Sequence, residues 1–314
     1  MSLLVAIRGW TPEPWIARLR QHVPQLAVVS LDDPFDQAAV RYAATWKHPP
    51  GALAGLPNLK AVFSLGAGVD HVLRDPALPR VPVARVVDAD LTHRMVEYVV
   101  WHCLALLRQA RRYARQQAEH IWLDDRGQPS AREVRVGIMG LGVMGAAAAQ
   151  ALVALGFDVA GWSRTPRTLP QVASYAGQAE LPAFLARTDL LVVLLPHTPE
   201  TLGIISTPLL RGLARDGRLG APALINAGRG GLQREVDLLA CLADGTLGHV
   251  VLDVFETEPL PTDSPLWDHP KVTLTPHNAA VSDPDAICAL IGRQIDRLER
   301  GLPLEHEVDV ARGY

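Results

Sequence analysis

The sequence predicts an α/β protein made of two doubly wound parallel-sheet domains. Short apolar runs alternate with amphipathic stretches through most of the chain, the pattern of a parallel sheet covered by helices. The alternation occurs twice, on either side of one long helical stretch from about Leu91 to Glu119 that contains neither Pro nor Gly. With 314 residues, each half has chain enough for its own core.

The first half reads as a strand (Leu3 to Ile7), a helix (about Pro12 to His22) and a strand (Leu26 to Ser30). Further strands follow near Val40 and over Ala61 to Leu65, with turn signals such as Pro49-Pro50-Gly51 between them. The long helical stretch is apolar first and basic later. Its Arg108, Arg111, Arg112 and Arg115 share a face at helical spacing, which reads as a solvated or subunit-facing side. The second alternation has strands at Val134 to Met139, Phe157 to Trp162, Leu190 to Leu195, Ala223 to Asn226, His249 to Val254 and Val272 to Thr275. A last helix, about Asp283 to Leu302, has no strand after it. The chain is expected to cross between domains near Met95 and Ala280, giving domains of residues 1–98 with 283–314, and 99–282, with a cleft between them.

Composition narrows the function classes. Hydrophobic residues make up 48% and charged residues 20%, ordinary globular usage. A net charge of −3 gives no broad footprint for nucleic acid or an anionic membrane, so neither is expected as a partner. Cys103, Cys241 and Cys288 lie far apart without CxxC spacing. They read as reduced core residues of a cytoplasmic protein, with no disulfide set and no metal site. The apolar start, Ser2 to Ile7, is too short for a signal peptide and is interrupted by Arg8. No apolar run reaches membrane-spanning length.

The strand Val134 to Met139 runs directly into Gly140-Leu141-Gly142-Val143-Met144-Gly145 and then an Ala-rich helix start. This GxGxxG sits where the motif has meaning, after a strand and before a helix, and marks a Rossmann-like dinucleotide site. Gly140 allows the tight turn, Gly142 lets a pyrophosphate approach the backbone, and Gly145 lets the helix pack on the strand. The helix N-terminus then offers free N–H groups to the phosphates. NAD sites commonly end the next strand with an acid for the ribose hydroxyls. Here that strand ends in Trp162-Ser163-Arg164-Thr165 with Arg167 close behind; Asp158 comes too early. A hydroxyl and a guanidinium suit a 2′-phosphate, so NADP is expected in preference to NAD.

Three segments follow buried strands: Asn226-Ala227-Gly228-Arg229-Gly230, Asp253-Val254-Phe255-Glu256-Thr257-Glu258-Pro259 and Thr275-Pro276-His277-Asn278-Ala279-Ala280. All lie at C-terminal strand ends, where open α/β sheets place ligands. They supply an Arg, a Glu and a His. Ketone reduction needs a fixed cation for a carboxylate and a proton donor for the developing alkoxide. A histidine beside a carboxylate keeps its proton to higher pH.

With these segments, Gly66-Ala67-Gly68-Val69-Asp70 and Pro196-His197-Thr198-Pro199-Glu200-Thr201, the chain resembles the D-isomer-specific 2-hydroxyacid dehydrogenases along its whole length. Trp162-Ser163-Arg164, Ser264-Pro265-Leu266-Trp267 and Thr275-Pro276-His277 are most similar to the glyoxylate/hydroxypyruvate reductase A branch. The resemblance implies NADPH-dependent reduction of small 2-oxo acids, with residues 1–98 and 283–314 as the flavodoxin-like substrate domain and 99–282 as the cofactor domain. It makes His277 the general acid, Glu258 the partner of its ring and Arg229 the holder of the substrate carboxylate and carbonyl. Backbone N–H groups of Ala67, Gly68 and Val69 form an anion nest for the carboxylate. Asp253 holds the nicotinamide carboxamide, and Leu195, Pro196, Thr198 and Ala227 line the cofactor site. A homodimer through the cofactor domains is implied, with the long helix involved.

Other histidines are weighed on position. His197 lies in a cofactor-lining loop and is not the expected acid, whereas His48, His71 and His93 are candidates for the cleft rim. Trp46-Lys47 is expected in a loop that lids the substrate. The run Gly231-Leu232-Gln233-Arg234-Glu235-Val236-Asp237 is unusually polar for a helix start. Competing readings are a larger 2-oxo acid such as phenylpyruvate, a phosphoglycerate or formate dehydrogenase, and a nucleotide-sensing binding protein without catalysis. A regulated phosphoglycerate enzyme needs an added domain, and a corepressor-like protein adds disordered partner-binding segments; neither is expected in this chain.

Overall fold

The computed structural model describes residues 1–314. The chain divides into two compact units, Met1–Leu91 with Ser282–Tyr314, and Thr92–Val281. The first division lies ahead of residue 98 because Met95, Tyr98 and Val99 are buried in the core of the second unit.

The first unit contains β1 (Ser2–Ile7), α1 (Glu13–His22), β2 (Ala27–Ser30), β3 (Val40–Trp46), β4 (Ala61–Ser64), the short α2 (Asp70–Leu73) and β5 (Val83–Ala84). All pairings are parallel, in the order β2-β1-β3-β4-β5. β5 has only two residues, too few to show a periodic signal, and the sequence pattern missed it. The C-terminal helix Pro284–Glu299 packs on α1. On the sheet, Leu4, Ala6, Ala43 and Val62 form one core cluster with Leu53, Leu56, Val72 and Val308.

In the second unit the expected single long helix is two, α3 (Ala89–Leu107, beginning in the first unit) and α4 (Ala110–Ala118). Gln109 sits between them in the left-handed region, at φ 55°. A side-chain tie stands in for the glycine that usually marks such a break. Gln109 Nε2 donates to Asp125 Oδ2 at 2.7 Å, and its Oε1 accepts from Arg112 Nη1 at 2.7 Å. The break places Arg108 on neither helix, so the four arginines do not form one stripe. Arg111 turns into its own unit, donating to the Val272 carbonyl and, at 3.0 Å, to Thr273 Oγ1.

The second sheet contains β6 (Arg135–Met139), β7 (Asp158–Ser163), β8 (Ala173–Ala176), β9 (Leu190–Val193), β10 (Ala223–Asn226), β11 (His249–Leu252) and β12 (Val272–Leu274). Between them run α5 (Val143–Ala154), α6 (Gly177–Ala186), α7 (Thr207–Arg211) and α8 (Glu235–Ala243). The order is β12-β11-β10-β9-β6-β7-β8, all parallel, with the direction of winding reversing at β6. β8 is a half-exposed edge strand without apolar alternation, and it too escaped the sequence pattern.

The apolar runs of the central strands feed two cores. Leu191, Val193, Leu224, Val250 and Leu252 face a cluster with Phe184 of α6, Leu210 of α7 and Leu242 of α8. Their neighbours Leu190, Val192, Ile225 and Val251 face the other cluster, with Val99 and Cys103 of α3 and Ala149 and Leu152 of α5. Period-2 alternation in a sheet covered on both faces gives continuous apolar strands. β9 and β11 stop earlier than expected, so Leu194, Leu195, Asp253 and Val254 belong to the loops beyond them.

Candidate active site

The β6–α5 turn is built around close backbone approaches. A Cβ on Gly145 would lie 1.8 Å from the Gly140 carbonyl oxygen. Gly140 itself has φ +105° and sits where a Cβ would be 2.7 Å from the Leu194 carbonyl oxygen, at the reversal of strand order. At Gly142, by contrast, no atom lies within 4 Å of where a Cβ would sit, so the turn is open there. Gly142 is also the N-cap of α5 and has no side chain with which to cap it. The first-turn amides of Val143, Met144 and Gly145 therefore fit a phosphate acceptor, and the cradle fits a dinucleotide.

Ser163 ends β7, and Arg164 and Arg167 are exposed just beyond it. Ser163 Oγ donates to the Thr165 carbonyl at 2.7 Å. Arg164 lies near Glu200 of the loop after β9. The Glu200 carboxyl is held below its ordinary value first by the Thr198 hydroxyl, with a smaller contribution from the charge of Arg164. That loop is braced by Thr201, whose Oγ1 donates to the Pro196 carbonyl at 2.7 Å and accepts from the Thr198 amide at 2.8 Å. Leu195 and Thr198 are buried and Pro196 is half-buried. The His197 ring rests on Gly231, whose Cβ would lie 2.6 Å from its Nε2.

Arg229, Glu258 and His277 come from the loops after β10, β11 and β12, three neighbours in the sheet. His277 Nδ1 and Glu258 Oε2 are 2.8 Å apart. Glu258 Oε1 accepts from the Phe255 amide at 3.1 Å, which fixes the carboxylate. His277 is held in the left-handed region at φ 52°, its amide donating to the Asp253 carbonyl at 2.8 Å. Arg229 is half-buried, with Nη1 donating to the Gly228 carbonyl at 2.9 Å. Ala227 beside it is buried.

Asp253 organises the loop that carries the histidine. It is 2% exposed. Its Oδ1 accepts from Thr275 Oγ1 at 2.7 Å and the Asn278 amide at 2.9 Å, and its Oδ2 from the Ala279 amide at 3.0 Å. Oδ2 keeps a lone pair for a further donor. Tyr98 of α3, whose hydroxyl lies 2.7 Å from Thr275 Oγ1, extends the network. Burial raises the Tyr98 phenol well above its usual value, so it stays protonated.

A second network ties the arginine loop to its neighbour. Asn226 Nδ2 donates to Gln233 Oε1 at 2.8 Å and to the Arg229 carbonyl at 3.2 Å. Gln233 Nε2 donates to the Val254 carbonyl at 2.9 Å. Glu235 and Glu256 each accept from the other's amide, at 2.9 and 2.7 Å. The polar run after Arg229 is thus a set of inter-loop ties. Sequence reasoning missed Tyr98 and Gln233 as positioning residues: a Tyr on an apolar helix face and a Gln in a polar run carry no signal of their buried partners.

In the first unit, Ala67, Gly68 and Val69 follow β4, and their amides donate to no acceptor in the chain. Trp46 is not in a lid loop: it is the last residue of β3, held by the register of that strand on β1. His48 is buried, its Nδ1 2.6 Å from Thr45 Oγ1 and its Nε2 3.2 Å from Asp75 Oδ2, so it braces its own unit and does not form a rim. Burial holds its imidazole below the usual value, against the opposing pull of Asp75. His71 accepts from the Lys47 amide at 3.1 Å, and His93 is exposed on α3. No helix is long and apolar enough to cross a membrane.

The NAD-binding-domain profile of the D-isomer specific 2-hydroxyacid dehydrogenases matches residues 100–279. A glyoxylate/hydroxypyruvate reductase A of Escherichia fergusonii is 41% identical over 310 residues, 96% of each chain. An NADPH-dependent glyoxylate/hydroxypyruvate reductase of Sinorhizobium meliloti, solved with NADP and sulfate, superposes with a TM-score of 0.94 at 49% identity, covering 100% of both chains. A probable 2-hydroxyacid dehydrogenase of Rhizobium etli, solved with NADP, HEPES and L(+)-tartaric acid, gives 0.95 at 44% identity, over 100% of this chain and 99% of that one. The chain, with its dinucleotide turn and its Arg229, Glu258 and His277 loops on one sheet edge, belongs to the D-isomer specific 2-hydroxyacid dehydrogenase family.

Proposed function

We propose that this protein reduces small 2-oxo acids, glyoxylate and hydroxypyruvate first, to their 2-hydroxy acids with NADPH. The observation that carries the reading is the 2.8 Å pair of His277 and Glu258, at the C-terminal strand ends of the same parallel sheet as a turn that fits a dinucleotide. The names of the relatives and the NADP bound to two of them support the substrate class and the cofactor.

When bound, the nicotinamide supplies the hydride that carbon 2 of the oxo acid receives. His277 gives a proton from Nε2 to the carbonyl oxygen as it becomes an alkoxide. Glu258 accepts a hydrogen bond from Nδ1–H and so orients the ring. Arg229 holds the carboxylate and polarises the carbonyl. The amides of Ala67, Gly68 and Val69 bind the carboxylate as a small anion nest, with Trp46 beside them. Asp253 takes the carboxamide through its remaining lone pair, and Leu195, Pro196, Thr198 and Ala227 line the nicotinamide side. Val143, Met144 and the motif glycines hold the pyrophosphate. Ser163 and Arg164 take the 2′-phosphate, and Arg167 adds a more exposed contact. Ser163 trades its bond to the Thr165 carbonyl for a phosphate oxygen, and Glu200 offsets part of the Arg164 charge.

The same reading includes a homodimer through the cofactor-binding unit and a cytoplasmic location. Ile121, Trp122 and Leu123 are consecutive and 49%, 100% and 55% exposed. Trp101 on α3 is 58% exposed. An exposed apolar group of this kind marks an interaction surface. The three buried free cysteines suit a reducing compartment.

His277→Ala should lower kcat on glyoxylate by roughly 10²-fold or more, the usual contribution of a positioned acid. Arg229→Ala should lower kcat/KM through both binding and transition-state charge. Glu258→Gln should lower kcat more than it changes KM, because the His277 ring loses the carboxylate that orients it. A His277→Ala variant with near-normal kcat would refute the assignment.

Cofactor preference is read from kcat/KM with NADPH and NADH at fixed ionic strength. A charge-assisted bond to the 2′-phosphate is worth roughly 1.5–3 kcal/mol, a preference for NADPH of about ten- to a hundredfold. Ser163→Asp with Arg164→Ala should reverse it, since the acid repels the phosphate and accepts from the ribose. Equal use of both cofactors by the wild type means that Arg164 does not read the phosphate.

Trp122→Glu should turn a dimer into a monomer in light scattering coupled to gel filtration. A dimer that persists in the variant, or a monomeric wild type, removes this surface from the account.

A further inference from the structure

We propose that Trp10 sets the size limit on the 2-oxo acid by locking Trp46 in place. The inference rests on the proposed reduction of small 2-oxo acids and names the residue that makes them small.

Trp46 ends β3, and Trp10 lies in the loop after β1. Their rings stack with centroids 4.3 Å apart and planes 9° from parallel. Trp15 of α1 continues the stack beyond Trp10, at 5.7 Å and 10°. Trp46 also meets the His71 ring at 4.5 Å and 56°, and Lys47 Nζ lies over the indole 5.9 Å from its centroid. Its edge presses on Gly66, where a Cβ would lie 2.5 Å from Cζ3. Any residue but glycine at 66 would push the indole away. Gly66 directly precedes the Ala67 to Val69 amides, so the indole edge stands beside the nest that receives the carboxylate.

His71 cannot yield, because its Nδ1 accepts from the Lys47 amide and its Nε2 lies 3.2 Å from Ser64 Oγ. The indole is therefore bounded by Trp10, His71 and Gly66. A fixed wall at the nest gives the substituent on carbon 2 a fixed room. A hydrogen or a hydroxymethyl group needs little of it; an aromatic side chain needs the indole to swing. Of the three bounding groups, Trp10 is the one that can be removed without opening the nest. It is 42% exposed and stands outside the core cluster of its unit. Without it Trp46 loses its stacked partner, and the ring can leave its rotamer.

The test compares kcat/KM for phenylpyruvate and glyoxylate at saturating NADPH in the wild type, Trp10→Ala and Trp10→Phe. Circular dichroism follows the exciton couplet of the stacked indoles. Trp10→Ala should lose the couplet and raise the phenylpyruvate-to-glyoxylate ratio by about tenfold, the scale on which pocket room discriminates. The change should lie mainly in KM for phenylpyruvate, with kcat on glyoxylate retained. Trp10→Phe, which keeps a stacked ring, should stay near the wild-type ratio. A lost couplet with an unchanged ratio overturns the proposal. If Trp10→Ala does not fold, Trp10→Leu, which keeps bulk without the flat face, takes its place with the same two outcomes. A wild type that turns over glyoxylate separates this test from the functional reading; one that reduces no 2-oxo acid overturns both.

Discussion

One buried carboxylate shapes the reacting end of this molecule. Asp253 has left water almost entirely, and an unpaired charge there would be costly. It is satisfied by a hydroxyl and two amides, all from the segment Thr275 to Ala279. Those bonds force the segment into a tight turn, and the turn holds His277 at positive φ with its ring against Glu258. The position of the proposed acid is thus a consequence of solvating Asp253 from within the protein. Tyr98, protonated because burial disfavours its anion, closes the network from the helix beneath.

The sheet makes this economical. All its strands are parallel, so every loop that leaves a C-terminal strand end emerges on one edge. Adjacent loops can then be tied by a few buried amides. Asn226 and Gln233 link the arginine loop to the Val254 carbonyl, and the Glu235 and Glu256 pair repeats the tie further out. Networks of this kind rigidify when every member is satisfied, as these are. A rigid edge is what a hydride and a proton delivered to neighbouring atoms require.

The parts of this arrangement that repeat along the chain were legible in the sequence. Apolar strand runs gave both sheets, because each run feeds two faces. The glycine turn was legible because a strand stood before it and a helix after it. Arg229, Glu258 and His277 could be picked out because they follow buried strands. What was not legible depended on tertiary partners. Gln109 breaks the long helix without Gly or Pro, because Asp125, beyond the end of the second helix, holds it. Trp46 looked like a loop residue because its flank carries turn signals, yet pairing with β1 extends the strand to include it. His48 looked like a rim residue because nothing in the sequence announces Asp75 as its buried partner. The polarity after Arg229 was visible, but its purpose lay in the loop of the next strand.

The most direct test of the account is kcat for glyoxylate reduction by Asp253→Asn at saturating NADPH, which takes cofactor affinity out of the comparison. The amide is nearly isosteric but turns its NH2 toward one of the two amides, Asn278 or Ala279, that need an acceptor, so the turn carrying His277 should lose its shape. The expected result is a fall in kcat approaching that of losing the acid itself, roughly 10²-fold. A variant that folds and keeps kcat near the wild-type value would contradict it, because His277 would then be held in place without Asp253.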